Sequence, residues 1–188
     1  MVSPELGVSG LLNPLSGASA RSGGQTETMH LAVFNIARLR APMDDPLIDD
    51  FRNNLDPINA LAEQSPGFVW RLQDESGNAT NITPYPDAMV ITNMAVWESI
   101  DGLAAFTYRS GHLEFQRRRR DFFEPNVEAF LVLWWIPEGH LPTMEEAMAR
   151  LDHLREHGPT PHAFTFRHRY EPGGDQAQAG SDRDACPA

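Results

Sequence analysis

Residues 129–136 read Ala-Phe-Leu-Val-Leu-Trp-Trp-Ile, a run of eight apolar residues that contains two adjacent tryptophans. The run is short, favours β-structure and is followed by Pro137 and Gly139, which predicts a strand that ends there. Successive side chains of a strand point to opposite faces, so Trp134 and Trp135 must face opposite ways. Both faces of this strand therefore need a cover.

The chain before this run predicts three further strands, at residues 30–37, 68–73 and 89–97. Between the first two, Asp44 or Asp45 can cap a helix with Pro46 in its first turn. Apolar residues then recur at helical spacing from 47 to 61. Pro57 interrupts this pattern, which predicts either a kink or two abutting helices.

The remaining helices follow the third and fourth strands. Ser99 or Asp101 begins one that breaks at residues 110–111, and residues 112–123 form the next. Residues 143–146 read Thr-Met-Glu-Glu, a capping box that opens a last helix, and Gly158-Pro159 ends it. Residues 163–170 alternate and predict a final edge strand. This order predicts an α+β fold, a ferredoxin-like antiparallel sheet with helices on one face.

Apolar residues occupy both faces of the third and fourth predicted strands, whereas the helices can cover only one. A second copy of the same sheet is the simplest cover for the other face, so we expect a homodimer, a dimeric α/β barrel.

The two ends of the chain differ from this region. Residues 1–28 and 172–188 are rich in Gly, Ser, Pro and polar residues without helical or strand periodicity, which predicts two disordered tails around one domain at 29–171. Residues 1–28 do not fit a signal peptide, and no apolar run is long enough to span a membrane. We expect a cytoplasmic protein.

Composition excludes several function classes. The 15 basic side chains are all arginine, so lysine-based Schiff-base chemistry and a Walker-type phosphate loop are excluded. The net charge of −11 argues against a general nucleic-acid binder. Cys186 is the one cysteine, which excludes an intrachain disulfide and a cysteine-based zinc site. We expect no metal and no cofactor.

Six segments resemble the bacterial domain of unknown function 3291 family: residues 31–37, 55–62, 65–72, 94–99, 108–112 and 133–140. The resemblance covers nearly all of 29–168. It implies a branch of the dimeric α/β-barrel superfamily, beside antibiotic-biosynthesis monooxygenases and haem-degrading enzymes. Those relatives hold small aromatic or polyketide-like molecules, or haem, between the sheet and the helices of each subunit.

The resemblance implies a small-molecule pocket. The first hypothesis is a cofactor-independent monooxygenase, or an isomerase- or cyclase-type enzyme, acting on an aromatic or polyketide-like substrate. The alternatives are a non-catalytic binder of a small aromatic or hydrophobic ligand and a haem-binding protein. Haem ranks low, because His112 lies about one turn before the position of the relatives' proximal histidine and Gln116 falls near that position.

His112 is the candidate catalytic base, because a neutral imidazole after a helix break can abstract a proton inside a pocket. The alternative is a structural histidine that bridges helix and loop. The His153–His157 pair has helical i, i+4 spacing, and a solvated helix face explains it better than a metal site.

The candidate substrate-binding residues are aromatic side chains that could form flat pocket walls and polar side chains that could contact the ligand. They are Asn35, Trp70, Arg71, Trp97, Tyr108 and Trp134. The alternative to a binding role is core packing for the aromatic residues and structural ion pairing for the arginine. Arg71 is expected to pair with Asp56 or Glu98, or to receive a ligand carboxylate. The arginines at 117–120 spread around their helix and suit a solvated ion-pair network, with one of them able to reach an anionic ligand.

Overall fold

The computed structural model describes residues 27–82, 84–109, 112–125 and 128–174, with the backbone alone at 112–116. In this part of the chain four strands form one antiparallel sheet in the order β2-β3-β1-β4, which is the ferredoxin-like order and confirms the predicted fold class. Their bounds are β1 Met29–Arg38, β2 Phe68–Arg71, β3 Val90–Trp97 and β4 Leu131–Pro137.

Within the described residues, five α-helices accompany the sheet: α1 Asp49–Asn53, α2 Leu55–Glu63, α3 Ile100–Arg109, α4 His112–Phe122 and α5 Met144–His157. A short 3₁₀ helix, Pro46–Ile48, precedes α1, and the Asp45 side chain accepts a hydrogen bond from the Leu47 N–H at its start. Among the described residues, every helix is too short or too polar to cross a bilayer.

The first helical region is split into α1 and α2, as one of the two alternatives predicts. The break lies at Asn54, three residues before Pro57. Pro57 therefore occupies the first turn of α2, where its missing N–H removes no hydrogen bond from the helix. The proline thus fits the second helix and does not kink it.

The two faces of the sheet carry two separate apolar clusters. The front face, which bears Val33, Ala95, Trp97 and Leu133, packs against residues of α2 and α3 such as Ala62 and Leu103. Helix α4 contacts α3 and carries residues of the cavity described below. The back face bears the residues of opposite parity, among them Ala32, Phe34, Met94, Val96 and Trp134.

The back face is not bare, and the expectation that helices lie on one face alone needs correction there. Helix α5 lies on it and buries Ala147, Leu151 and Leu154 against the strands. Phe34 and Trp134 on this face are 0% exposed within a single copy of the chain. The homodimer was predicted because one face of the sheet was expected to be uncovered. Since α5 covers that face, the homodimer stays a prediction without this argument in its support.

The start of α5 follows the predicted capping box in part. The Thr143 side chain accepts a hydrogen bond from the Glu146 N–H, as the motif requires. The Glu146 carboxylate accepts from Trp134 Nε1 at 2.9 Å and contacts His140 Nε2 at 2.8 Å. Glu146 thereby attaches the start of α5 to the back face of β4.

The segment after α5 forms no regular edge strand, contrary to prediction. Phe164 alone pairs with Leu133 of β4, through two backbone hydrogen bonds of 2.8 Å. The chain then bends, because Thr165 and His168 hydrogen-bond each other across a turn. Alternating polarity is present here, but the turn interrupts the backbone pairing with β4, and the Tyr170 carbonyl contacts that strand through a hydrogen bond from Trp135 Nε1 at 2.6 Å.

The domain limits remain a prediction, since residues 1–26 and 175–188 of the expected tails lie outside the described residues.

Candidate functional site

A cavity of about 250 Å³ lies between the front face of the sheet and the helices that cover it. Alternate residues of the two central strands form its floor: Val33, Asn35 and Ala37 of β1 and Ile91, Asn93 and Ala95 of β3. Asn93 is exposed although it lies in the middle of β3. The helical layer therefore leaves the sheet open above Asn93, and solvent reaches the cavity floor.

Aromatic side chains form the walls at one end of the cavity. The Trp97 ring lies 5.4 Å from the Phe68 ring, edge to face, and is stacked on Phe106 at the same centroid distance. Tyr108 and Phe166 add a second edge-to-face pair with centroids 5.6 Å apart. These rings offer flat surfaces to a planar ligand.

A second aromatic group closes the opposite end, beside Leu39 and Arg40. The Phe51 ring lies 6.1 Å from Phe122 and 5.1 Å from Phe123. The backbone holds this group in place, since Arg40 N donates to Phe122 O and Leu39 pairs with Phe123. The cavity thus runs along the central strands between two aromatic ends.

Two asparagine side chains meet at the centre of the floor. Asn35 and Asn93 are direct cross-strand partners, and Asn93 Nδ2 donates to Asn35 Oδ1 at 3.2 Å. Each amide has two N–H donors and one carbonyl acceptor, so this bond leaves capacity on both groups for a ligand. The pair is a polar spot on an otherwise apolar floor.

A second amide chain ties the loop after β2 to α2. Asn59 Nδ2 donates to Asn78 Oδ1 at 2.7 Å, and Asn78 Nδ2 donates to Asp56 Oδ1 at 3.0 Å. Asn59 and Asn78 both line the cavity, together with the following residues Ala79 and Thr80. These bonds hold the loop against one side of the cavity.

Arg71 lines the cavity, and its guanidinium group hydrogen-bonds to other groups of the protein. Its Nε lies 2.8 Å from a Glu63 oxygen, and its Nη1 donates to the Gly77 carbonyl at 2.8 Å. The expected partners were Asp56 or Glu98, so the expectation of structural pairing names the wrong carboxylate. Glu63 takes this place because α2 brings its last residue beside β2.

One arginine of the run at 117–120 lines the cavity. Arg119 places its guanidinium carbon 4.4 Å from the centroid of the Phe130 ring. Arg118 pairs with Asp50 at 2.8 Å and with Asp121 at 3.3 Å, in agreement with the expected ion-pair network. The helix therefore separates neighbouring arginines into different surroundings.

Four of the predicted substrate-binding residues line the cavity: Asn35, Arg71, Trp97 and Tyr108. Trp70 and Trp134 pack into the back-face cluster and are not among the described lining residues, which corrects their predicted role. Strand parity is the cause, since Trp70 pairs with Val96 and Trp134 with Ala32, both back-face residues. Trp135 lies on the front face, so the prediction that the two adjacent tryptophans diverge is confirmed.

The predicted base, His112, is the first residue of α4, and its side chain lies outside the described residues, as does that of Gln116. The direction of the His112 imidazole therefore stays a prediction, and so does the haem alternative. The helix before it, α3, does contribute to the described lining, since four of its residues line the cavity: Leu103, Phe106, Thr107 and Tyr108.

The histidines near the C-terminus form a cluster away from this cavity. The His153 ring stacks on His157 at 4.4 Å and meets His162 edge-on at 4.7 Å. His153 also hydrogen-bonds Thr160, and Arg150 contacts His162 at 2.7 Å. In the part of the chain that the structure describes, no group of three ligand-type side chains is placed to hold a metal ion.

Sequence reasoning missed several polar lining residues: Asn54, Asn59, Asn78 and Asn93. Asn93 carried a usable signal, since it is an amide in the middle of an apolar strand whose neighbours on the same face are Ile91 and Ala95. The other three come from the break before α2, from α2 itself and from a loop, where polar residues are ordinary and indicate no site by themselves.

Comparison with known families shows the family to which the chain belongs. The model of the domain of unknown function DUF3291 matches residues 30–180. The chain belongs to the DUF3291 family. The family description carries no activity, and no protein with a curated description matches the sequence.

Solved structures with similar backbones include PA3566 from Pseudomonas aeruginosa, at 13% identity and a TM-score of 0.40, with 62% of this chain and 98% of that chain covered. Another is SnoaB, a cofactor-independent oxygenase from Streptomyces nogalater, at 14% identity and a TM-score of 0.38, with 61% and 96% covered. A candidate antibiotic biosynthesis monooxygenase from Nitrosomonas europaea has 14% identity and a TM-score of 0.37, with 61% and 92% covered.

Proposed function

We propose that this DUF3291 chain binds one small, flat organic molecule in the front-face cavity. The observation that carries the proposal is the arrangement of the Asn35–Asn93 amide pair between two aromatic ends. Apolar walls with a few convergent polar groups are typical of small-ligand sites, because apolar burial supplies affinity and the polar groups supply orientation.

The floor geometry favours a ligand that lies along the central strands. We expect the planar part of the ligand to lie between the aromatic end that contains Trp97 and the aromatic end that contains Phe51. An oxygen or nitrogen atom of the ligand would then point toward the Asn35–Asn93 pair. The opening above Asn93 supplies a route of entry.

Tryptophan fluorescence tests this placement, because Trp97 lines the cavity whereas Trp134 lies on the back face. Two- and three-ring aromatic compounds would be screened for an increase in melting temperature, and native mass spectrometry would search for a copurifying molecule. We expect a hit to change the emission of wild type and of Trp134→Phe, and to leave that of Trp97→Phe unchanged. A change that persists in Trp97→Phe and vanishes in Trp134→Phe would place the ligand elsewhere. Absence of any hit and of any copurifying molecule would refute the proposal.

Catalysis on the bound molecule is the second candidate, as a cofactor-independent oxygenase or an isomerase. The amide pair favours it, because donors fixed at the floor can stabilise negative charge on a ligand oxygen after a proton is removed. No aspartate, glutamate or histidine is among the cavity-lining residues within the described part of the chain, so His112 is the base that we would test first.

The test of catalysis uses the bound molecule identified above. An isomerase exchanges a carbon-bound hydrogen of that molecule with D2O, and an oxygenase consumes dioxygen; we expect His112→Ala to lose either reaction while it still binds. Full activity in His112→Ala would remove this residue from the mechanism. Neither exchange nor oxygen uptake in wild type would favour the non-catalytic binder.

A further inference from the structure

The asparagines of this chain are concentrated at the cavity. The sequence contains nine asparagines, and five of them are among the described lining residues: Asn35, Asn54, Asn59, Asn78 and Asn93. Asn35 and Asn93 lie on the floor, whereas the other three come from α2, the break before it and the loop after β2. A side-chain amide is uncharged and carries both donors and an acceptor, so it distinguishes ligands by their hydrogen-bond pattern.

The hydrogen bond between Asn35 and Asn93 uses only part of what the two amides offer. Together they carry four N–H donors and two carbonyl oxygens. The bond from Asn93 Nδ2 to Asn35 Oδ1 uses one N–H, and within the described part of the chain it is the one side-chain hydrogen bond of either residue. Three N–H groups and the Asn93 carbonyl oxygen remain, and the totals are the same if the donor and acceptor amides are exchanged.

A ligand on the floor must replace the water that solvates these groups. Asn93 is exposed and Asn35 is half-buried, so water reaches the pair. Displacing such water costs affinity unless the ligand makes the same hydrogen bonds. A ketone, quinone or carboxylate has acceptors alone and would leave the Asn93 carbonyl without a donor. An ammonium group has donors alone and would leave the N–H groups without an acceptor.

We propose that the cavity takes a neutral aromatic lactam, whose ring N–H and C=O lie side by side and face the Asn35–Asn93 pair. This inference rests on the proposed function and narrows its ligand class. The lactam N–H donates to the Asn93 carbonyl, and the lactam C=O accepts from the remaining N–H groups. A side-chain amide pairs in the same two-bonded way with the donor and acceptor edge of adenine. A phenol carries its donor and acceptor on one atom and cannot form such a pair.

The experiment compares 2-quinolinone with coumarin by calorimetric titration of the full chain. Coumarin has the same bicyclic outline and the same carbonyl, but a ring oxygen replaces the N–H, so the two probes differ in one donor. We expect wild type to bind 2-quinolinone about tenfold more tightly than coumarin. The third probe, 2-naphthol, carries a phenol in place of the lactam and should also bind more weakly than 2-quinolinone.

A double variant tests whether the floor amides recognise this edge of the ligand. Asn35→Val combined with Asn93→Val removes both amides and suits the two strands, because valine favours β-structure. Circular dichroism verifies its fold, and we expect its preference for 2-quinolinone over coumarin to fall to about one. The matched control is Asn53→Ala, which removes an exposed asparagine that is not among the lining residues and should keep the preference. The comparison of probes on wild type decides independently of these variants.

The outcomes separate this inference from the proposed function. Equal affinity of wild type for 2-quinolinone and coumarin would overturn the lactam and leave the pocket standing. Tighter binding of 2-naphthol than of 2-quinolinone would overturn it as well. A preference that persists in the folded double variant would show that other groups recognise the lactam and would also refute the inference. Absence of binding by all three probes would refute it too, whereas refutation of the pocket itself requires the broader screen to fail.

Discussion

Asn93 donates its side-chain N–H to Oδ1 of Asn35 at 3.2 Å, across the two central strands of the sheet. The pair lies where a sheet covered by helices would ordinarily be apolar, and Asn93 is exposed there. Polar groups at such a position gain little for folding, since water satisfies them equally well in the unfolded chain. The proposed function accounts for their placement, since a ligand on the floor would accept or donate hydrogen bonds there.

Replacement of Asn35 tests the floor directly. Asn35→Ala removes one hydrogen-bonding group worth about 0.5–1.5 kcal/mol, so we expect a roughly two- to twelvefold loss of affinity for the best ligand. Calorimetric titration measures the loss. Asn53→Ala is the control, because Asn53 is exposed and is not among the lining residues. Equal affinities of the two variants would contradict a role for the floor amides.

Arg71 is expected to act through the loop that follows β2. Arg71→Met removes its contacts with Glu63 and with the Gly77 carbonyl, and hydrogen bonds of a charged group contribute about 1.5–3 kcal/mol. We expect lower stability and faster amide hydrogen exchange at residues 74–80. Glu63→Gln keeps the Gly77 contact and should show a smaller effect. Unchanged exchange in Arg71→Met would show that the loop is held by other contacts.

Packing of α5 on the back face contributes strongly to stability. Leu151 is 0% exposed, so Leu151→Ala should lower the free energy of unfolding by about 2–4 kcal/mol, because it leaves a cavity in the core. Leu141→Ala, at a position 51% exposed, should change it by less than about 0.5 kcal/mol. Urea unfolding measures both. A small effect of Leu151→Ala would mean that α5 is weakly attached.

A second copy of the chain is not needed to complete the core, because α5 covers the back face within one copy. We therefore expect the chain to stay folded when it is diluted until light scattering finds a single chain mass of 21.0 kDa, as circular dichroism at that concentration would show. Unfolding on dilution to single chains would instead show that the predicted homodimer completes the fold.

Acidification should loosen the segment that follows α5. Burial, then Arg150 and His153, lower the pKa of His162 below the ordinary histidine value of 6.5. The unfolded chain therefore binds a proton more readily than the folded chain, and stability falls as pH drops through 6.5 toward the folded pKa. Melting temperatures between about pH 7.5 and pH 5 measure this. His162→Gln should flatten the profile in that window, and an unchanged slope would assign the effect to other groups.

A separate acidic transition is expected from Glu146. Burial opposes its ionisation, but hydrogen bonds from His140 and Trp134 outweigh burial and lower the pKa of Glu146. Its contribution is present above the ordinary glutamate value of 4.5 and is lost as pH falls below it, so it lies at lower pH than the His162 window.

Local pattern was sufficient for the four strands of the sheet and for the alternation of side chains along each of them. The alternation of a strand is a property of neighbouring residues, so the opposite directions of Trp134 and Trp135 followed from their adjacency alone. The helix starts at Asp45 and Thr143 could likewise be predicted, because a capping side chain hydrogen-bonds to a backbone N–H two or three residues later.

Tertiary structure alone decided which distant residues meet. The sequence left open whether Arg71 pairs with Asp56, Glu98 or a ligand, and packing of α2 beside β2 selected Glu63 instead. Likewise, the apolar stripe of α5 fits either face of the sheet, and only the course of the chain after β4 placed it on the back face. Asn35 and Asn93 are 58 residues apart and meet only through the register of β1 with β3. Periodicity records which side of an element is buried, whereas the partner across the interface depends on how the whole chain is arranged.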